Sequence, residues 1–234
     1  MTELRSVLFL LGALAITAPF GILVPAGRLF GREPPFTLAR LYTKVMLRWV
    51  EISCGIRYEV SGWEHVPKTP VVIMSKHQSA WETLAFQHIF PPQVHVLKRE
   101  LLWIPFFGWG LALMSPIPID RARGVSALRS IARRGRERLD QGFWVVVFPE
   151  GTRVAPGERR TYQLGGAWLA AASGAPIVPV AHNAGRVWPR NAFIKHPGIV
   201  TVRIGPPIES ANRDPKVLNA MAEKWIEEQQ KALT

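Results

Sequence analysis

Three stretches of this chain are apolar without interruption and too short to be helices: Val71–Met74, Trp144–Val147 and Ile177–Val180. A strand with one wet face alternates apolar and polar residues, whereas a strand buried on both faces reads as a continuous run. Helix-compatible sequence follows the first two, over Trp81–Phe90 and Leu164–Ser173. That order predicts an α/β fold, a largely parallel central sheet flanked by helices. Further strands are expected at Ile56–Val60, where Ile56, Tyr58 and Val60 alternate, and at Gln93–Leu97, Pro116–Ile119 and Ile199–Ile204. A basic helix is expected over Ser126–Leu139, with Leu128, Ile131 and Leu139 inward and its arginines largely outward. The last helix opens with Asp214 as N-cap and Pro215 at its first position, and should bury Leu218, Met221 and Trp225. No repeat, low-complexity tract or linker divides residues 55–234.

Ahead of this domain lies a segment of different character. No residue between Arg5 and Arg28 carries a charge. As a straight helix Ser6–Gly27 would reach roughly 33 Å, enough to cross a bilayer. Pro19, Gly21 and Pro25 argue against a straight helix, because proline removes a donor and clashes with the preceding turn. Both a span and a broken helix dipping into one leaflet are open. A cleaved signal peptide fits less well, since the apolar run continues past Ala13-Leu14-Ala15. Residues 35–52 read as a helix with Leu38, Leu41, Val45 and Trp49 on one stripe and Arg40, Lys44 and Arg48 on another, as for a helix lying on anionic lipid. Basic residues follow the apolar segment in excess, which places the rest of the chain on the cytoplasmic side. The expected division is a membrane-associated helical segment, 1–52, and a second domain, 53–234. A net charge of +12 calls for anionic partners. The lone Cys54 excludes an intramolecular disulfide and is expected to be a small buried apolar residue.

Two polar clusters follow predicted strands. In Ser75-Lys76-His77-Gln78-Ser79-Ala80-Trp81-Glu82, His77 and Glu82 stand five apart, roughly 140° around a regular helix. They can meet if His77 lies in the loop after the strand and Glu82 in the first helical turn. Ser79-x-x-Glu82 has the spacing of a capping box, which supports that placement and would also exist without any chemistry. A carboxylate beside an imidazole fixes its tautomer and stabilises its protonated form, as a general base requires. The second cluster, Phe148-Pro149-Glu150-Gly151-Thr152-Arg153, brings a glycine, a hydroxyl and an arginine to the end of a wholly apolar strand. Glycine lets backbone approach an oxyanion, and arginine forks onto phosphate. Lys98 and Arg121 also follow strands, so the topology should place them on the same rim.

His77-x4-Glu82, Lys98-x-Glu100-Leu101, Ile119-Asp120-Arg121, Phe148-Pro149-Glu150-Gly151-Thr152-Arg153 and Pro176-Ile177-Val178-Pro179-Val180 occur in order. Over roughly residues 55–205 the chain resembles the 1-acyl-sn-glycerol-3-phosphate acyltransferases. The resemblance implies that residues 53–234 are a catalytic acyltransferase domain. It implies acyl transfer from acyl-CoA or acyl carrier protein to the sn-2 hydroxyl of lysophosphatidic acid, giving phosphatidic acid for phospholipid biosynthesis. By the same resemblance His77 is the base and Glu82 its orienting carboxylate. Lys98, Arg121 and Arg153 hold the phosphate, while Glu150, Gly151 and Thr152 shape the acceptor site. The chain departs from the family's pattern in having Glu82 where Asp is usual, and Tyr162-Gln163 where a Phe-Lys pair is frequent.

No covalent intermediate is required, since there is no Gly-x-Ser-x-Gly elbow. No metal or other cofactor is expected, the acyl thioester being a substrate. His65, His88, His95, His182 and His196 are scattered and read as structural or surface residues. The expected partners are lysophosphatidic acid, an anionic membrane surface and an acidic acyl carrier protein, with no nucleic acid. The expected location is a bacterial inner membrane. Competing readings are a related acyltransferase acting on lyso-ornithine lipid or glycerol 3-phosphate, and a non-enzymatic basic membrane-binding protein. The aromatic stretch Leu101–Met114, with Trp103, Phe106, Phe107 and Trp109, is equally a wall for an acyl chain or plain core.

Overall fold

The computed structural model describes residues 1–31, 33–120 and 124–233, apart from the side chains of Glu33, Pro34, Phe107 and Val125. Two helices, α1 (Thr2–Gly27) and α2 (Glu33–Cys54), precede alternating strands and helices. These are β1 (Ile56–Ser61), β2 (Val72–Ser75), α3 (Trp81–Ile89), β3 (Gln93–Lys98), α4 (Phe107–Leu113), β4 (Ile117–Ile119), α5 (Val125–Asp140) and β5 (Trp144–Val147). They continue with α6 (Gly165–Ser173), β6 (Ile177–His182), α7 (Ala184–Val187), β7 (Gly198–Ile204) and α8 (Pro215–Leu233). The seven strands form one sheet in the order β1-β7-β6-β2-β5-β3-β4. Every neighbouring pair is parallel except β6 and β7, which are antiparallel.

The continuous apolar runs became the centre of the sheet: every residue of β2, β5 and β6 is buried. Each face has its own core. One holds Ile73, Val146, Val178 and Val200 against Trp81 and Phe86 of α3 and Met46, Leu47 and Val50 of α2. The other holds Val72, Met74, Val145 and Val147 against Ile131 of α5, Leu169 of α6 and Leu218 and Ile226 of α8. The helix after β2 therefore covers one face and the helix after β5 the other. Where two adjacent parallel strands send their helices to opposite faces, a crevice opens at their carboxyl ends. The β2 and β5 ends carry the two polar clusters.

The N-terminal region differs from expectation in three ways. First, α1 is helical through both Pro19 and Pro25. Packing on neighbours outweighs the proline penalty: Thr17 and Phe20 meet Tyr42 of α2, and Trp49 donates its ring N–H to the Phe9 carbonyl at 3.0 Å. At Gly21 a Cβ would stand 2.7 Å from Cβ of Phe106, so only glycine permits that approach. Second, the stripe of Leu38, Leu41, Val45 and Trp49 is split, and the face of α2 that meets the core is a different one. Leu41 and Val45 are exposed beside Lys44 and Arg48, while Met46, Leu47 and Val50 face the sheet. Third, α1 is fastened to the domain near its N-terminus as well as at Gly21. Arg5 Nε donates to the Ser53 carbonyl at 2.8 Å, the Lys195 N–H donates to Ser6 Oγ at 3.0 Å, and Phe9 is buried in the core. A helix so fastened at its N-terminal end and at Gly21 runs along the domain rather than away from it. Thr2–Phe30 is long and apolar enough to cross a membrane. Cys54 is fully buried.

Elsewhere the departures are small. On α8 the inward row is Leu218, Ala222 and Ile226, so Met221 lies on the exposed side, at 38%. The cap is as expected, with Asp214 Oδ1 accepting the Lys216 N–H at 2.6 Å.

Candidate active site

β2 ends at Ser75, and the chain then passes through Lys76 and His77 into α3. One carboxylate oxygen gathers this turn. Glu82 Oε1 accepts from His77 Nδ1 at 2.8 Å, from the Gln78 N–H at 2.9 Å and from the Ser79 N–H at 2.8 Å. Ser79 Oγ in turn accepts the Trp81 N–H at 3.1 Å. This is the reciprocal logic of a capping box with the hydroxyl one residue early, because α3 starts at Trp81 and its N-cap is Ala80. Glu82 is fully buried. Burial alone would push its carboxyl up; the His182 and His77 rings and the Ser79 N–H more than cancel that, and the group sits below its ordinary value. Donation from Nδ1 to a carboxylate leaves Nε2 as the basic nitrogen of His77. The ring is stacked on Phe148 at 4.1 Å and 16°.

Beneath this turn His182 is buried. It donates from Nε2 to the Lys76 carbonyl at 2.9 Å, and its Nδ1 accepts the Ala184 N–H at 3.3 Å. Burial lowers its pKa, and its two contacts brace the turn from below.

β5 ends in a tight turn, with the Gly151 N–H donating to the Phe148 carbonyl at 3.0 Å and Gly151 at φ +71°, a conformation that favours glycine. Glu150 points away from solvent. Its carboxylate lies 3.3 Å from Lys76 Nζ, and Lys76 lies 2.8 Å from Glu227 of α8. Burial pushes the Glu150 carboxyl up to about 7, against the pull of Lys76.

The two strand ends open into one cavity of about 870 Å³. His77, His95, Lys98, Glu150, Gly151, Thr152, Arg160 and Gln163 line its polar part. Phe20, Gly21 and Val24 of α1 line an apolar part together with Phe106, Gly110, Leu111 and Met114. A volume of this size, lined by both charged and apolar side chains, suits a large amphipathic ligand. Of the anticipated site residues, His77, Lys98, Glu150, Gly151 and Thr152 line this space. Glu82 stands behind His77. Arg153 does not line it; its carbonyl is held by Arg190 Nη1 at 2.8 Å. Arg121 lies outside the described residues. Of the aromatic stretch, Phe106 and Met114 reach the cavity, while Trp103 and Trp109 are 78% and 51% exposed. Among the described residues no group of three His, Cys, Asp or Glu could hold a metal.

Residues 57–183 match the acyltransferase family model. A 1-acyl-sn-glycerol-3-phosphate acyltransferase of Pseudomonas aeruginosa is 48% identical over 180 residues, covering 76% of this chain and 70% of that protein. The chain belongs to the 1-acyl-sn-glycerol-3-phosphate acyltransferase family. More distant members are the alpha form from Mus musculus, 32% identical over 77% of this chain and 65% of that protein, and the Saccharomyces cerevisiae protein, 31% identical over 94% and 74%. The crystal structure of the 1-acyl-sn-glycerophosphate (LPA) acyltransferase PlsC from Thermotoga maritima has the same fold, with TM-score 0.81 at 22% identity over 100% of this chain and 98% of that one.

Within this acyltransferase, four functional-looking positions had no decisive sequence signal. Arg160 supplies a cation to the cavity a few residues before Tyr162-Gln163, where the family pattern has a lysine. His95, a structural or surface residue by sequence, lines the cavity on the strand that leads to Lys98, and burial drives its pKa down to about 4. Lys76 and His182 are set by partners more than a hundred residues away.

Proposed function

We infer that this acyltransferase carries a fatty acyl group from a thioester to the sn-2 hydroxyl of 1-acyl-sn-glycerol 3-phosphate, giving phosphatidic acid. The observation that carries the reading is a single cavity lined by His77, whose ring is held by Glu82, together with cationic and apolar side chains. His77 Nε2 takes the hydroxyl proton as that oxygen attacks the thioester carbonyl carbon. The tetrahedral oxyanion collapses, the carbon–sulfur bond breaks, and the leaving thiolate takes the proton from the imidazolium. Glu82 keeps the ring in the required tautomer and stabilises the cation between the two transfers. Lys98 and Arg160 face the acceptor's phosphate, with Gly151 and Thr152 at the turn beside it. Arg121, outside the described residues, keeps the phosphate role that the family pattern implies. The acyl chain lies toward α1 and α4.

The donor is acyl-CoA or acyl carrier protein, and the residues of the site call for no resident cofactor. The apolar outer faces of α1 and α2, with Leu8, Leu11, Leu14 and Ile52 exposed beside Lys44 and Arg48, support a protein lying in one leaflet. The basic excess after α1 fits a catalytic domain on the cytoplasmic face of a bacterial inner membrane, against anionic lipid. The test is thiol release from acyl-CoA with 1-acylglycerol 3-phosphate, lyso-ornithine lipid or glycerol 3-phosphate as acceptor, for the native protein and His77→Ala. Release should depend on the first acceptor and vanish in the variant while membrane association persists. Faster turnover with either other acceptor, or an active His77→Ala protein, overturns the reading.

A further inference from the structure

The loop between β5 and α6 carries Arg160 into the cavity, yet it has little core of its own. Val154 and Tyr162 are buried, and the five residues 157–161 between them are exposed. Its ends are tied by backbone: the Val154 N–H donates to the His77 carbonyl at 2.8 Å and the Gln163 N–H to the Pro149 carbonyl at 2.8 Å. The exposed middle has a different tie. Lys76 Nζ, on a residue only 1% exposed, donates to the Glu158 carbonyl at 3.3 Å and to Glu227 Oε1 at 2.8 Å. Glu227, on α8, also accepts the Tyr162 hydroxyl at 3.0 Å and lies 3.4 Å from Arg159 Nε. Asn219 of the same helix donates to the Tyr162 carbonyl at 3.2 Å.

We propose that Lys76 and Glu227 are positioning residues for the acceptor phosphate: their buried ion pair clasps the loop to the C-terminal helix so that Arg160 stands in the cavity. The clasp is specific in its geometry. An ammonium has three donors and a fixed tetrahedral spread. Here two of them reach a loop carbonyl and the α8 carboxylate, with the Glu150 carboxylate 3.3 Å away as a second counter-charge. Lys76 also precedes His77 directly, so one residue links the base to the phosphate-facing loop. A buried ion pair adds little net stability over an apolar pair. Its retention here is explained by the register it imposes on an otherwise solvated loop.

The inference rests on the acyl-transfer reading, and its test separates the two. KM and kcat for 1-acylglycerol 3-phosphate, and KM for acyl-CoA, would be measured for the native protein, Glu227→Gln, Tyr162→Phe, Arg160→Ala and the double variant Glu227→Gln/Arg160→Ala. Glu227→Gln leaves Glu150 as counter-ion to Lys76, and Tyr162→Phe removes one hydroxyl, so a folding failure in the first still leaves the second. Each should raise the acceptor KM about tenfold, the cost of one net hydrogen bond, with kcat within about twofold and donor KM unchanged. Because the clasp acts through Arg160, Glu227→Gln should cost almost nothing more once Arg160 is gone. A loss of kcat alone, an unchanged acceptor KM, or full additivity with Arg160→Ala overturns the clasp while leaving acyl transfer standing. A native protein that does not acylate the acceptor overturns the reading beneath it.

Discussion

Glu82 and Glu150 are both buried carboxylates just beyond the ends of adjacent parallel strands, yet their surroundings drive them in opposite directions. Glu82 receives three N–H donors on one oxygen and is held below its ordinary value. Glu150 has one ammonium at 3.3 Å and is pushed up to about 7. Burial raises both; at Glu82 the His182 and His77 rings and the Ser79 N–H outweigh it, whereas at Glu150 Lys76 and the neighbouring backbone N–H groups do not. The carboxylate held low stands against the imidazole that lines the cavity; the one pushed up is buried beside Lys76 at the cavity wall.

The hardest blow to that contrast is Glu82→Gln. An amide keeps the volume but cannot accept three donors and balance an imidazolium. We expect kcat to fall about a hundredfold, the lower end of the general-base contribution, with KM little changed. Near-native turnover would mean that the pair is a cap and nothing more.

Glu150→Gln should act on stability, and the two carboxylates should show opposite slopes. For Glu150 the folded value of about 7 lies above the unfolded value near 4.5. Between those pH values the folded state holds a proton that the unfolded chain has lost, so stability falls as pH rises through the window. The penalty is on the order of 3 kcal/mol above pH 7. Glu82 contributes the reverse: stability present above about pH 4.5 and lost as pH falls through its depressed folded value. Thermal melts from pH 4.5 to 8 should therefore show Glu150→Gln gaining on the native protein toward the alkaline end. Parallel curves would show that Glu150 is not strained by its burial.

The sheet was legible because β2, β5 and β6 are buried on both faces, which leaves a continuous apolar signature. The rim was legible because parallel strands put their carboxyl ends together, and His77, Lys98 and the Glu150–Thr152 turn each follow such a strand. What stayed hidden depends on contacts distant in sequence. Nothing local to Lys76 points to its partner Glu227, 151 residues away. Arg160 is one of three arginines in the β5–α6 loop, and nothing local to it in the sequence separates it from Arg153 and Arg159. Pro19 and Pro25 pointed to a break because local propensity carries no information on α2 and α4, against which α1 packs.

A similar contrast separates two arginines of the β5–α6 loop. Arg160 lines the cavity, whereas Arg153 does not. A charge-assisted hydrogen bond contributes about 1.5–3 kcal/mol. Arg160→Ala should therefore raise the acceptor KM at least about tenfold, and Arg153→Ala should change it less than about threefold. The reverse order would place the phosphate outside the cavity mouth described by Lys98, Thr152 and Arg160.

The smallest effect is expected at Ser79, and it isolates what Glu82 does beyond capping. Ser79→Ala deletes the hydroxyl that accepts the Trp81 N–H but keeps the backbone N–H that donates to Glu82. Loss of such a cap costs about 1 kcal/mol, read as a small drop in melting temperature. Since all three donors to Glu82 Oε1 survive, kcat should stay within about twofold. If Ser79→Ala instead lost activity on the scale of Glu82→Gln, the hydroxyl would have to be holding His77 in place, and the carboxylate's three donors would not suffice to orient the base.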